Sequence, residues 1–318
     1  MIEAAELQLL DAALRRATSS SSGGALDAAL AEVGWGEALQ VAAEPAIRLL
    51  FAAQGEAGAT SDALALVLSA GLGQSPPTAA VVLPRPGSSS PPGRLHGDRG
   101  EVRGLVTASA AAGQTLLVAA QTDEDGDVLL TLPTAQLDLR NVSGLDPALG
   151  LVEVTGDVTA LASSPLALWP SALRLGRLAV GHELVGAGRA MLELARRHAL
   201  DREQFGRRIA GFQAVRHRLA ETLVALESAQ ALLDVAEVDV GEGAAAMAKA
   251  AAGRAARTAS RHSQQVLAGI GFTTEHRFHL LARRVLVLDE LLGSTRTLTR
   301  ELGEQVLATR RLPPPVPL

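Results

Sequence analysis

Cysteine and tyrosine are absent, and other aromatic side chains are few: two Trp and five Phe in 318 residues. Without thiols the chain can form no disulfide, offer no thiolate nucleophile and build no cysteine-ligated metal site. Redox chemistry therefore requires a cofactor. The core must be filled by Ala, Leu and Val, which suits close-packed helices better than a β-sandwich. Long apolar runs are also missing, since none approaches the roughly 20 residues of a membrane span, and Met1-Ile2-Glu3-Ala4-Ala5-Glu6 begins acidic rather than basic. These features predict a soluble cytoplasmic protein. Lysine is nearly lacking, with Lys249 the single one, and the net charge is −5 without a basic face. Nucleic acid is thereby set aside as the main partner. The Arg-for-Lys usage and the Ala, Gly and Leu bias read as the imprint of a GC-rich genome rather than of function.

What is present divides by period. An apolar content of 47% is ordinary for a globular chain. Glu6 to Arg16 carries Leu7, Leu10, Ala13 and Leu14 at helical spacing, and Ser19-Ser20-Ser21-Ser22-Gly23-Gly24 reads as a flexible loop. Further helices are expected through Leu26, Leu30 and Val33, ending near Gly34-Trp35-Gly36, and over 45–54 and 61–70. From Ala79 the pattern becomes short aliphatic runs between turn residues, predicting strands at 79–83, 102–107, 115–120, 128–132 and 150–154. From Ser171 the helical period returns, with Leu178, Val185 and Leu192 on one long helix and Phe212, Leu219, Leu226 and Leu233 on a second closed by Gly241-Glu242-Gly243. A third helix is expected over 244–267 and a fourth from about Phe278 toward Leu307. The fold class is mainly α with a β middle domain (α+β). The expected division is 1–77 helical, 78–168 a small β-barrel or sheet, 169–311 an antiparallel four-helix bundle, and 312–318 a Pro-rich tail.

Three segments carry the chemistry: Arg202-Glu203-Gln204-Phe205-Gly206, then Gln213 in Gly211-Phe212-Gln213, then Gln265-Val266-Leu267-Ala268-Gly269-Ile270-Gly271-Phe272. Together they resemble the R-x-x-F-G turn, the following Gln, and the Q-x-x-G-G-x-G-[FY] segment of the acyl-CoA dehydrogenase family. The resemblance is specific over 165–310. It implies an FAD whose pyrophosphate and adenosine end is met by Arg202, Gln204, Phe205, Gln213, Gln265 and Gly269. A cation with donors at a helix junction suits two phosphates. Ala268 replaces the first Gly of the usual pair, which should narrow the cofactor's approach without blocking it. The N-terminal helical domain is shorter than the family's.

Acyl-CoA dehydrogenation needs a carboxylate base at the α-carbon while a hydride leaves to the flavin. The family places that base before an Arg in the first long helix, or before a Gly beyond the G-x-G-[FY] segment. Counting from the motifs, these positions fall on Gly176, before Arg177, and on Leu292, before Gly293. Neither can take a proton. The family's flavin loop corresponds to Leu83-Pro84-Arg85-Pro86-Gly87-Ser88-Ser89-Ser90, and its W-I-T-N-type strand to 104–109, without the Trp. A damaged ring half-site beside a preserved adenine half-site resembles the non-catalytic subunits of actinobacterial α2β2 heterotetrameric acyl-CoA dehydrogenases of steroid side-chain breakdown. The expected partner is a catalytic acyl-CoA dehydrogenase subunit that shares the FAD and holds most of the acyl-CoA. Two other readings stay open: a homomeric dehydrogenase with Glu183 or Glu290 as a displaced base, or a flavin-free scaffold of the same fold. Glu275-His276 with His279 superficially suggests a metal pair, but no third ligand has suitable spacing. Arg283-Arg284 reads as a surface or interface charge pair, and Arg85, Arg94 and Arg99 as solubilising residues of a loop.

Overall fold

Three layers meet on one long helix. A computed structural model of the chain describes residues 4–75, 80–97, 99–123, 126–159, 163–165, 168–239, 241 and 243–310. The Pro-rich tail and the expected boundary at 77/78 lie outside them. The first layer is helical: α1 (Ala4–Ser20), α2 (Gly24–Val33), α3 (Trp35–Val41), α4 (Ala43–Ala57) and α5 (Ala63–Gly71). The strands follow: β1 (Leu83–Pro84), β2 (Gly93–His96), β3 (Arg99–Thr107), a helical turn α6 (Ala108–Ala111), β4 (Thr115–Thr122), β5 (Asp127–Pro133), β6 (Asp138–Asn141), β7 (Leu151–Thr159) and β8 (Ser163–Pro165). The bundle comprises α7 (Trp169–Asp201), a hairpin of β9 (Glu203–Gln204) and β10 (Arg207–Arg208), α8 (Gln213–Val238), α9 (Ala244–Leu267), a 3-10 segment Ala268–Phe272, α10 (Phe278–Glu290) and α11 (Thr295–Thr309).

Small residues determine how the helices approach. Added Cβ atoms at Gly55 and Gly186 would strike the carbonyl oxygens of Glu183 and Ala52, so α4 and α7 cross in backbone contact. At Gly71 a Cβ would meet the backbone of Ala172, 2.9 Å from its nitrogen. The Ala and Gly bias ascribed above to base composition thus has a packing use at these crossings. On α9 the buried face is mostly alanine, including Ala245, Ala248, Ala252, Ala256 and Ala259.

The main sheet runs β6-β7-β3-β2-β4-β5-β8, with β1 on β3, and β2 is antiparallel to β3 but parallel to β4. Alternation sorts its faces. Leu116, Val118 and Ala120 of β4 join Val102, Val106, Leu130 and Leu132 in the sheet's own core. Leu105, Ala119 and Leu129 point the other way, into the large helical core with Leu50, Phe51, Leu178 and Leu292. That second face seats the sheet on the bundle.

Several expectations need correction. The serine run is helical through Ser20, whose hydroxyl bonds Arg16 O at 2.9 Å, and Ser22 Oγ accepts the Thr60 amide at 3.0 Å. That segment is pinned, not a flexible loop. After Gly34 (φ 76°) a further helix, α3, buries Trp35, whose indole donates to Ala46 O at 3.0 Å. Of the strand expected at 79–83, residue 79 lies outside the described residues, and the described part contributes only Leu83–Pro84 and an isolated bridge at Val81, because Pro84 and Pro86 have no amide to continue a ladder. Strands β2, β6 and β8 were not anticipated. The fourth bundle helix is broken at 291–294, where Leu292 and Gly293 have φ of 56° and 96° and Ser294 caps α11 by accepting the Thr297 amide at 3.1 Å.

Candidate functional site

The R-x-x-F-G segment is a β-hairpin. Gln204 pairs with Arg207 and Glu203 with Arg208, so the two-residue tip is Phe205-Gly206. Both tip residues have positive φ, 56° and 75°, as a type I′ loop requires. Glycine takes this conformation freely, whereas Phe205 takes it at a cost. The tip is braced from below: Phe205 stands edge-on to Phe212 at 6.1 Å, and the Arg207 guanidinium lies 4.2 Å from the Phe212 ring centre. The backbone of Arg202 is tied at both ends, its amide donating to His198 O and its carbonyl accepting from Ile209 N, each at 2.9 Å.

The other two segments arrive at the same end of the bundle. Ala195 and Ala199 of α7, Ile209 and Ala210, Val215 and Leu219 of α8, and Val266 of α9 form one apolar cluster beneath it. Gln213 opens α8 and Gln265 lies beside Val266. Arg202, Gln213 and Gln265 are exposed and make no side-chain hydrogen bond or ion pair among the described residues. Gln204 is exposed too, and donates to Glu203 O at 2.7 Å. Burial, followed by repulsion from the Arg202 guanidinium, holds His198 below its ordinary range, against the opposing pull of Asp201. Phe205 is 92% and Phe272 78% exposed. In a chain with five Phe, leaving two in water forgoes roughly 1.5–3 kcal/mol each relative to burial.

Whether the adenine end of an FAD fits here is tested by Gly269. It has an ordinary φ, and an added methyl would meet no atom within 4 Å, so nothing in the chain itself requires glycine there. Neighbouring Gly271 differs, since its Cβ would lie 2.7 Å from Gln264 Nε2. An open backbone beside unpaired amides and a guanidinium fits a phosphate-bearing group. Ala268, at the end of α9, takes φ 51° and ψ −131°, a conformation suited to glycine.

The opposite end, where the resemblance puts the flavin ring and the base, is closed by the protein's own atoms. Gly176 and Leu292 are neighbours: a Cβ at 176 would lie 2.6 Å from Leu292 Cδ1 and 2.8 Å from Leu68 Cδ2. The two base positions therefore share one place, which is apolar, and Arg177 Nε donates to Leu292 O at 3.2 Å. The 83–90 loop packs on the same turn, with Gly87 N donating to Glu290 O at 2.7 Å and Ser89 Oγ to Glu301 at 3.1 Å. Both positions are buried, and neither side chain can accept a proton. An open depression of about 800 Å³ beside them is lined by Arg257, Glu290, Ser294 and Arg300, and by neither Gly176 nor Leu292.

The displaced carboxylates differ. Glu290 is half-exposed, with Arg257 Nη2 at 3.8 Å from Oε1. Glu183 is buried where three layers meet, and its Oε1 lies 3.6 Å from Arg284 Nη1, in ion-pair range but outside a hydrogen bond. Burial pushes Glu183 up to about 7, against the opposing pull of Arg284. Arg284 is only 4% exposed and is no surface charge, correcting the sequence reading: it binds Asp146, Ala59 O at 2.6 Å and Thr60 Oγ1 at 2.9 Å. His276 and His279 cap backbone, with His279 Nδ1 on His276 O at 2.8 Å and His276 Nδ1 accepting Phe278 N at 3.2 Å.

Sequence reasoning missed the function of Lys249. This lone lysine is fully buried and donates to Asp289 O at 2.6 Å and to Gly293 O, holding the turn that carries Leu292. Asp289 also accepts from Arg257 Nε at 2.8 Å and Thr295 Oγ1 at 2.5 Å. The signal was available: Lys249 stands four residues after Ala245 and three before Ala252, on the apolar face of α9.

Comparisons with known proteins bear on the family and the fold. Residues 166–307 match the family "Acyl-CoA dehydrogenase, C-terminal domain". The chain is 31% identical over 186 residues to the acyl-CoA dehydrogenase IpdE2 of Mycobacterium tuberculosis, the match covering 57% of this chain and 57% of that protein. The chain thus spans little more than half of that relative. Among solved structures, the "Tcur3481-Tcur3483 steroid ACAD G363A variant" superposes with a TM-score of 0.78 at 21% identity, over 96% of this chain and 99% of that one. The ChsE4-ChsE5 complex from Mycobacterium tuberculosis gives 0.75 at 19% identity, over 98% and 99%. Residues 166–307 are an acyl-CoA dehydrogenase C-terminal domain, and the chain that carries them has the acyl-CoA dehydrogenase fold.

Proposed function

We propose that this chain is the non-catalytic subunit of a heteromeric, FAD-dependent acyl-CoA dehydrogenase. A partner subunit supplies the base, the ring site and most of the acyl-CoA pocket, in an α2β2 assembly. The observation that carries the reading is the joint burial of Gly176 and Leu292 in one apolar spot beside Leu68. FAD, when bound, supplies the hydride acceptor for α,β-dehydrogenation. This chain's part is to neutralise pyrophosphate charge with Arg202, to offer amide groups from Gln204, Gln213 and Gln265, to cover the adenosine end with Phe205, and to let backbone approach at Gly269. Two of the structural neighbours are a steroid acyl-CoA dehydrogenase and a two-protein complex, which supports a heteromer and a steroid acyl-CoA as the substrate class.

The test is to purify the chain alone and together with an acyl-CoA dehydrogenase-like protein encoded beside it, and to read bound FAD from the absorbance spectrum. The expected result is about one FAD per two chains, present only in the co-purified complex. One FAD per chain from this protein alone overturns the reading. Arg202→Gln should strip flavin from the complex at least tenfold more readily, while chain stability moves by no more than about 0.5 kcal/mol, because the side chain is exposed.

A further inference from the structure

Three arginines converge on the side of the 83–90 loop that faces away from the bundle. Arg85, Arg94 and Arg103 line a concavity of about 260 Å³ together with Ser88, Ser90, Gln121 and a single carboxylate, Glu101. Register explains the convergence. Arg94 of β2 stands directly opposite Glu101 of β3 and Gln121 of β4, so these side chains share a face, and Arg103 projects two residues further along β3. Glu101 is engaged by Arg103 Nε at 2.5 Å. Arg85 and Arg94 have no ion pair or side-chain hydrogen bond among the described residues. A local excess of cations with two free guanidinium groups is unusual in a chain of net charge −5.

The walls are fixed rather than loose. Pro91 and Pro92 restrict the loop's backbone, and Pro92 O accepts the Arg103 amide at 2.8 Å. Gly93 sits so close to β4 that a Cβ there would lie 2.7 Å from Ala120 Cβ. Ser90 N donates to Ser88 Oγ at 3.1 Å, which leaves the Ser88 hydroxyl proton free to donate outward.

We propose that this groove is a phosphate-binding site, which takes a phosphomonoester or diphosphate group between Arg85, Arg94 and the Ser88 and Ser90 hydroxyls. Planar guanidinium forks match phosphate oxygens two at a time. The volume lies below the roughly 300–1,000 Å³ of clefts that enclose whole drug-sized ligands, so the site holds a headgroup and leaves the rest of the molecule outside. It lies on the β domain, apart from the Arg202 end, and takes Arg85, Ser88 and Ser90 from the segment that corresponds to the family's flavin loop.

The experiment titrates the full chain with inorganic pyrophosphate, inorganic phosphate and coenzyme A, followed by phosphorus NMR, at low and at physiological salt. The expected result is saturable binding of pyrophosphate, one per chain, that weakens as salt rises. The double variant Arg85→Gln/Arg94→Gln should weaken it at least tenfold. Arg99→Gln removes one charge, half that removed by the double variant, from a neighbouring position outside the groove and should change affinity by no more than about twofold. All these side chains are exposed, and an unchanged thermal midpoint confirms that each variant is folded. Coenzyme A bound at least tenfold more tightly than pyrophosphate assigns the headgroup to a CoA ester; equal affinities assign it to a free phosphate anion. No saturable binding, a double variant as tight as the parent, or an equal loss in Arg99→Gln overturns the site.

Discussion

Glu183→Gln should stabilise this protein above neutral pH. The carboxyl is 3% exposed, packed between Gln54, Gly55 and Arg284, and burial raises it from 4.5 to about 7. The folded chain therefore holds a proton between pH 4.5 and 7 that the unfolded chain has already released. Unfolding free energy falls as pH rises through that window, and the loss is complete above it. A shift of about 2.5 units at about 1.36 kcal/mol each gives about 3 kcal/mol at pH 8. Glutamine has the same shape and does not titrate. Arg284 keeps Asp146, Ala59 O and Thr60 in the variant, so it is not left unpaired. Urea unfolding at pH 5 and pH 8 measures the effect. The variant should be within about 1 kcal/mol of the parent at pH 5 and about 2–3 kcal/mol more stable at pH 8. A variant that loses stability at pH 8 refutes the argument, because Glu183 would then be an ionised counter-charge that Arg284 needs.

Lys249 titrates in the opposite sense. Burial lowers it from 10.5 to about 8, so the unfolded chain binds the extra proton and stability should rise as pH increases from 8 toward 10.5. In Lys249→Met that rise should vanish and two buried carbonyls, of Asp289 and Gly293, lose their donor, at a cost of about 1–3 kcal/mol each; unfolding at pH 7.5 and 10 reads both. Ala268→Gly relaxes a positive-φ alanine and should stabilise by about 1 kcal/mol, seen as a higher thermal midpoint. Gly253→Ala would drive a methyl into Asp289 Oδ1 and Thr295 Oγ1, separating α9 from the α10–α11 turn, and should cost about 3 kcal/mol or more in urea unfolding.

The layers were legible because period is a local property. The change from helical to alternating spacing near Ala79 and back near Ser171 needs no knowledge of contacts. The break at 291–294 was less legible, although Gly293 followed by Ser294 is a stop and a start signal in adjacent residues. Leu291-Leu292 continues the apolar stripe of α10, and the left-handed turn at Leu292 is held by Lys249 from another helix. The serine run misled for a similar reason, since its partners, Thr60 N and O, lie well downstream. The arginines of the 85–94 loop read as solubilising in sequence, and only strand register brings two of them beside Arg103.

The candidate site shows most clearly what a single sequence holds and what it does not. Gly176 and Leu292 are identifiable by counting from the motifs, but in sequence they are two separate departures from the family pattern. In space they are one. The side chain at 292 occupies the volume that a side chain at 176 would need, and Leu68 closes the remainder. Restoring a glutamate at 176 alone would press it into Leu292 and Leu68, and restoring one at 292 would bury a carboxylate among leucines at a residue of positive φ. Either change first has to reopen an apolar core, which supports the proposed non-catalytic role, while the Arg202 end keeps its free donors at the surface.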